Sequence, residues 1–204
     1  MAKNSSRRWL QEHFSDTYVK QAKQAGYRCR AVYKILELQE KDRLFKPGMT
    51  VVDLGASPGG WAQVIVKLLG KKGRLIALDL LLMDPLDKVE FIQGDFSDDA
   101  VLEQITNMLG ETKPDWILSD MSPNISGIDS VDQPKSMALA ELALDFALTV
   151  LKPEGGFLVK AFQGEGFELF LTTVRKSFKQ VFIRKPKASR DRSREVYILA
   201  KCKK

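Results

Sequence analysis

Residues 49–70 read MTVVDLGASPGGWAQVIVKLLG, and that run decides the fold. A β-branched strand, residues 49–54, ends in Asp53-Leu54 and turns through Gly55-Ala-Ser-Pro-Gly-Gly60. A helix opens at Trp61 and stops at Gly70. Glycines let backbone approach a ligand closely, and a helix N-terminus points its unpaired N–H groups at it. The spacing is not the G-x-G-x-x-G of a dinucleotide site. No GKS or GKT follows either, so pyrophosphate binding is disfavoured. A tight turn with no ligand is the plainer reading of the same glycines.

Outward from this unit, short apolar runs alternate with helix-period segments. Residues 74–79, 89–93, 115–120 and 156–162 read as buried strands of a parallel sheet. Helices fit over residues 61–69, 98–109 and 136–151, each followed by a stop signal at Gly70, Gly110 or Pro153. An α/β sheet wound this way places the carboxyl ends of its parallel strands on one edge, where such sheets bind ligands. Ahead of it, residues 30–44 form an amphipathic helix. Behind it, residues 180–183 and 195–200 form an antiparallel hairpin around the basic loop 184–194.

At 204 residues, 44% hydrophobic and 28% charged, the chain has the composition of one globular domain. The expected division is a basic extension and helix over residues 1–45 and a sheet core over 46–204. No apolar run approaches the ~20 residues of a membrane span, and the opening is polar, so the expectation is a cytoplasmic protein with no membrane partner. Two cysteines and one histidine, His13, leave no zinc cluster, disulfide framework or histidine triad, and no metal is expected. The net charge of +6 is unevenly spread. Residues 1–34 hold eight basic and two acidic side chains and residues 184–204 hold nine and two, which is +13 at the ends against −7 between them. The ends make either a cationic stripe for phosphates or two solvated tails.

Asp53, Asp79, Asp95 and Asp120 all end or follow predicted strands and so gather around the glycine turn. Asp79 stands where a carboxylate accepts ribose hydroxyls, and Asp95 where it takes an amino group of a base; taken singly, each is equally an N-cap or a solvated strand end. A ribose-bearing, preferably cationic ligand without a diphosphate suits this rim, and S-adenosylmethionine is one. Lys160 lies between Val159 and Ala161 inside an apolar strand, where an unpaired ammonium is costly. Asp120, on an adjacent strand end, is its expected partner, either as a structural ion pair or as catalytic machinery. Glu195 opens a strand that, if antiparallel, begins on the same edge. Lys34, on the polar side of the first helix, either closes the ring or is an ordinary surface lysine, which is the plainer reading of it alone.

GASPGGW, LSDMSPN, VKAF and REVYILA resemble, over essentially the whole chain, the FtsJ-type RNA 2′-O-ribose methyltransferases. The resemblance implies a Rossmann-like class I methyltransferase with a mostly parallel seven-stranded sheet, helices on both faces and a C-terminal antiparallel hairpin. It implies a catalytic Lys34, Asp120, Lys160 and Glu195, with Lys160 handling the proton of the ribose hydroxyl. It also implies S-adenosylmethionine contacts from Gly59, Trp61, Asp79, Asp95 and Asp120. A compact chain of this kind is similar to the bacterial branch that methylates a uridine ribose of 23S rRNA in the large ribosomal subunit. A tRNA 2′-O-methyltransferase and a non-catalytic RNA-binding assembly factor are the alternatives, and a monomer is expected. Chemically, the 2′-hydroxyl must be aligned and lose its proton, and Lys160 could serve as neutral base or charged orienter.

Both cationic ends lead to the same edge: residues 185–194 run into Glu195, and Arg28-Cys-Arg30 into the helix carrying Lys34. Tyr27 and Tyr33 lie nearby for base stacking. Residues 122–132 are long for a strand-to-helix loop and form either a substrate lid or an inert surface loop.

Overall fold

Residues 50–69 fold as strand β1 (Thr50–Leu54), a turn, and helix α3 (Gly60–Leu69). The computed structural model describes residues 16–124, 126–190 and 192–204. Ahead of β1 stand α1 (Thr17–Gln24) and α2 (Val32–Asp42). After α3 the order is β2 (Arg74–Asp79), β3 (Val89–Gln93), α4 (Asp99–Leu109), β4 (Trp116–Ser119), α5 (Asp129–Val150), β5 (Gly156–Phe162), α6 (Phe167–Ser177), β6 (Phe178–Arg184) and β7 (Glu195–Lys203).

The seven strands form one sheet in the order β3-β2-β1-β4-β5-β7-β6. The first five are parallel, and β7 runs antiparallel to both β5 and β6. The order reverses between β1 and β4, which opens a crevice beyond their carboxyl ends. Gly55, at φ 81°, makes this crevice possible: an added Cβ would meet the Met121 backbone nitrogen at 2.8 Å.

Period-two alternation divides the sheet into two faces. Val52, Leu54, Ile117, Phe157, Val159, Val196 and Ile198 pack with buried residues of α4, α5 and α6. Val51, Leu118, Leu158, Tyr197 and Leu199 pack with Val32, Ile35 and Leu38 of α2 and with Trp61, Ile65 and Leu69 of α3. Each such large apolar side chain contributes about 1.5–3 kcal/mol by leaving water. The predicted glycine stops hold, with Gly70 at φ 66° and Gly110 at φ 57° ending their helices.

Three elements depart from the sequence reading. Helix α5 begins at Asp129, seven residues before the predicted start, because Asp132 accepts from the Ser126 and Gly127 backbone N–H groups and the Ser126 hydroxyl and so anchors the entry. The last four residues of the segment 122–132 are therefore helix, and Pro134 is tolerated near its start. Helices α1 and α6 were not expected. Phe167, Phe170, Leu171 and Val174 give α6 its buried stripe. His13 and the first part of the basic extension lie outside the described residues.

Candidate active site

The crevice holds a cavity of about 350 Å³ lined by Gly55, Ser57, Asp79, Leu81, Asp95 and Asp120 among others. Asp79 is held rigidly: one carboxylate oxygen accepts from Ser57 N at 2.8 Å and the other from Leu81 N at 2.8 Å. Asp95 takes both the Ser97 backbone N–H and the Ser97 hydroxyl on Oδ1, at 2.9 and 2.7 Å, which holds its carboxyl below the usual range. Neither Gly59 nor Trp61 is among the lining residues. Gly59 caps α3 at φ 101°, and the Trp61 indole turns away to donate to Ala31 O at 2.9 Å.

Asp53 departs from the expected rim. It is fully buried one residue short of the end of β1, on the α2/α3 face by strand alternation, and both its carboxylate oxygens lack a partner. Burial, with Asp120 and Asp79 adding repulsion, pushes its carboxyl up to about 8.

Beside the cavity the four expected catalytic side chains meet. Lys160 Nζ lies 3.1 Å from Asp120 Oδ1 and donates to the Asp120 carbonyl at 2.6 Å. Lys34 Nζ lies 2.6 Å from Glu195 Oε1, which also accepts from the Ser189 hydroxyl at 2.8 Å. The two pairs are joined by a residue the sequence reading missed. Tyr197, with no exposed surface, accepts from Lys34 Nζ at 3.1 Å and donates to Asp120 Oδ1 at 2.7 Å. Its ring lies under Lys34 Nζ at 5.4 Å and against Trp61 at 5.8 Å. The signal was its position two residues after Glu195, on the same face of the strand; register places it opposite Lys160.

Burial is the largest influence on Asp120 and pushes its carboxyl up. The charges of Lys160 and Lys34 and the Tyr197 and Lys160 hydrogen bonds outweigh it, so the carboxyl sits below the usual range and stays ionised. Burial, with Asp120 and Glu195 beyond, keeps the Tyr197 phenol well above its ordinary value and neutral. A second cavity, about 280 Å³, opens over this cluster and is lined by Lys34, Lys160, Glu195, Phe162, Arg30 and Arg190 among others; Ser122 borders both cavities. The two cavities are thus neighbours. Arg190, Phe162 and Ser193 also border a larger pocket of about 670 Å³ whose walls include Arg192, Arg194, Asp129 and Gln133.

Arg30 stands in the wall of the second cavity, at the edge the sequence reading expects, whereas Arg28 lines neither cavity. Arg28 donates to three backbone carbonyls, and Arg30 pairs with Asp16 and donates to Ala188 O. Tyr33 packs on Tyr18 and Tyr27, with ring centroids 5.4 and 6.2 Å apart. These groups bind the N-terminal segment to the sheet and the basic loop.

A parallel sheet with an antiparallel C-terminal hairpin, an acidic crevice at its topological switch and a lysine–carboxylate cluster beside it define a Rossmann-like methyltransferase. The profile of the FtsJ-like methyltransferase family matches residues 27–203, and the chain belongs to that family. It is 58% identical over 197 residues to ribosomal RNA large subunit methyltransferase E of Cellvibrio japonicus, covering 97% of this chain and 93% of the relative. A Plasmodium falciparum structure assigned as a ribosomal RNA methyltransferase superposes with TM-score 0.79 at 31% identity, over 87% of this chain and 98% of that one. One assigned as an rRNA-methylase from Clostridium thermocellum shares the fold, at TM-score 0.56 and 18% identity over 83% and 97%. Among the described residues, no helix is long and apolar enough to cross a membrane and no three His, Cys, Asp or Glu side chains are grouped to hold a metal.

Proposed function

We propose that this enzyme transfers a methyl group from S-adenosylmethionine to a ribose 2′-hydroxyl of RNA, the target being a uridine of 23S rRNA in the large ribosomal subunit. In this reading residues 1–204 form one unit that works as a cytoplasmic monomer without a metal. The 58% identity to a ribosomal RNA large subunit methyltransferase supports the substrate. The observation that carries the chemistry is the part-buried chain Glu195–Lys34–Tyr197–Asp120–Lys160, set where two cavities meet.

The crevice fits the cofactor. The Asp79 carboxylate, rigid and at the cavity wall, accepts ribose hydroxyls; Asp95 accepts an amino group of the base; Gly59 and Trp61 bring the positive end of α3. Carboxylates without a phosphate-binding lysine favour a cationic ligand. When bound, the cofactor supplies an electrophilic methyl carbon.

Lys160, fixed by two contacts to Asp120, orients the ribose hydroxyl. Held against Asp120 in this way, Lys160 stabilises charge growing on the oxygen while the proton leaves to water. Lys34 and Glu195 line the same cavity and hold the ribose. The test is single-turnover labelling with methyl-tritiated cofactor, followed by mapping of 2′-O-methylation on ribosomal and transfer RNA. One labelled uridine in 23S rRNA is expected. Lys160→Ala is expected to lose about 100-fold or more in transfer with cofactor affinity changed less than about threefold. No labelling by the wild type, label in transfer RNA instead, or an active Lys160→Ala variant would refute it.

A further inference from the structure

Residues 26–31 cross the glycine turn like a strap. Arg28 N donates to Gln63 Oε1 at 2.8 Å, Gln63 Nε2 returns a bond to Gly26 O at 3.1 Å, and Trp61 Nε1 donates to Ala31 O at 2.9 Å. The Arg28 guanidinium reaches further. Its Nη1 donates to Pro58 O at 3.1 Å and Asp84 O at 2.7 Å, and its Nη2 to Pro85 O at 2.9 Å. Gly59 makes room for it, since a Cβ there would lie 2.8 Å from Arg28 Nη1.

The carbonyls that Arg28 joins belong to two segments that wall the first cavity. Pro58 follows Ser57, and Asp84 and Pro85 follow Leu80 and Leu81; Ser57, Leu80 and Leu81 are all lining residues. The two segments also touch each other through the Ser57 hydroxyl, 3.3 Å from Leu82 O. On its other side the strap runs directly into α2, whose third residue is Lys34, in the wall of the second cavity. Arg28 itself lines neither of these two cavities.

We propose that Arg28 is a positioning residue that couples the two cavities, so that ordering the first by cofactor sets Lys34 for the RNA and the two ligands bind cooperatively. The proposal rests on the methyltransferase reading above. The guanidinium fork reaches these carbonyls from two nitrogens, whereas a lysine ammonium would keep the charge on one nitrogen and lose that geometry. Coupling through one element is reciprocal: RNA must raise cofactor affinity by the factor by which cofactor raises RNA affinity.

The test measures S-adenosylhomocysteine affinity with and without the RNA that the wild type methylates, in the wild type, Arg28→Met and Arg28→Lys, with thermal melts for each. The wild type is expected to show coupling of about fivefold or more. Both variants are expected to lose the coupling and about tenfold in kcat, with affinity for RNA alone changed less than about twofold, because the Arg28 charge is spent on carbonyls. If Arg28→Lys restores coupling and kcat, or if Arg28→Met instead weakens RNA binding alone, Arg28 is a phosphate contact and the proposal fails. A wild type that methylates RNA without coupling also overturns it, while a wild type that methylates no RNA refutes the underlying function instead. A variant that does not fold is replaced by Arg28→Gln, a shorter polar side chain without the fork, which is expected to reduce coupling in the same way; unchanged coupling there overturns the proposal.

Discussion

Tyr197 Oη joins two ion pairs that would otherwise be separate, and its value rests on two hydrogen bonds to charged groups, each worth about 1.5–3 kcal/mol when buried. Tyr197→Phe keeps the ring against Trp61 and deletes both bonds. Turnover is expected to fall about tenfold with the cofactor KM nearly unchanged, and steady-state kinetics will measure it. Asp53 is the opposite case, a buried carboxyl with no partner. Its folded pKa, about 8, stands above the unfolded value near 4. Its contribution to stability is therefore complete below pH 4 and is lost as pH rises toward 8. Asp53→Asn is expected to gain on the wild type between pH 5 and 8 by up to about 1.4 kcal/mol per unit, read from urea unfolding at several pH values. Asp120 and Lys160 were legible because a lysine in an apolar strand requires a carboxylate. Tyr197 was not, because a tyrosine in a buried strand looks like any other core aromatic. Asp53 looked like Asp79 in the sequence; only burial separates them.

Strand parity is what assembles the site. Positions 116, 118 and 120 face one side of the sheet, as do 158 and 160 and, from the reversed strand, 195, 197 and 199. That side carries α2, which supplies Lys34. The β6–β7 hairpin is fastened there by Arg184, whose Nε and Nη2 bind the two oxygens of Asp42 at 2.9 and 2.7 Å, while Lys201 donates to the Asp42 carbonyl at 2.7 Å. The Arg184 hydrogen bonds hold the Asp42 carboxyl below its usual range. The stability from this pair is present above pH 4 and fades as pH falls through the depressed value. Arg184→Ala is expected to cost about 1–3 kcal/mol at pH 7, with the difference closing below pH 4 in guanidinium unfolding. The alternation of β5 and the antiparallel hairpin were readable from residue pattern. Helix α6 was not, since residues 163–167 (QGEGF) obscure its start, and the Asp132 anchor that lengthens α5 depends on a fold-back of residues 126–127 that no periodicity reports.

Across the molecule, the +13 of the two ends is partly consumed by the fold. Arg28, Arg30, Lys34, Arg184, Lys201 and Lys203 bind carbonyls or carboxylates of the protein itself. RNA affinity should therefore depend on salt less steeply than the 17 basic residues of the two ends suggest. A slope of log K against log salt of about −2 to −4 is expected, from about 3–5 phosphates at ~0.7 each, measured by filter binding between 50 and 300 mM salt. A slope near zero would make the ends purely structural. Arg190, which borders both outer pockets, is the cation best placed to contribute.

The sequence by itself determined the alternation of strands and helices, the glycine turn, the acidic strand ends and the pairing of Lys160 with Asp120, because each is a local pattern or a chemical cost; the full set with Lys34 and Glu195 rested on the family resemblance. Only the tertiary structure decided which cations are spent inside the fold, that Tyr197 joins the two ion pairs, and that Asp53 is buried without a partner. Those outcomes depend on contacts between residues far apart in the chain, such as Lys34 with Tyr197 or Arg28 with Asp84, and on the water they exclude.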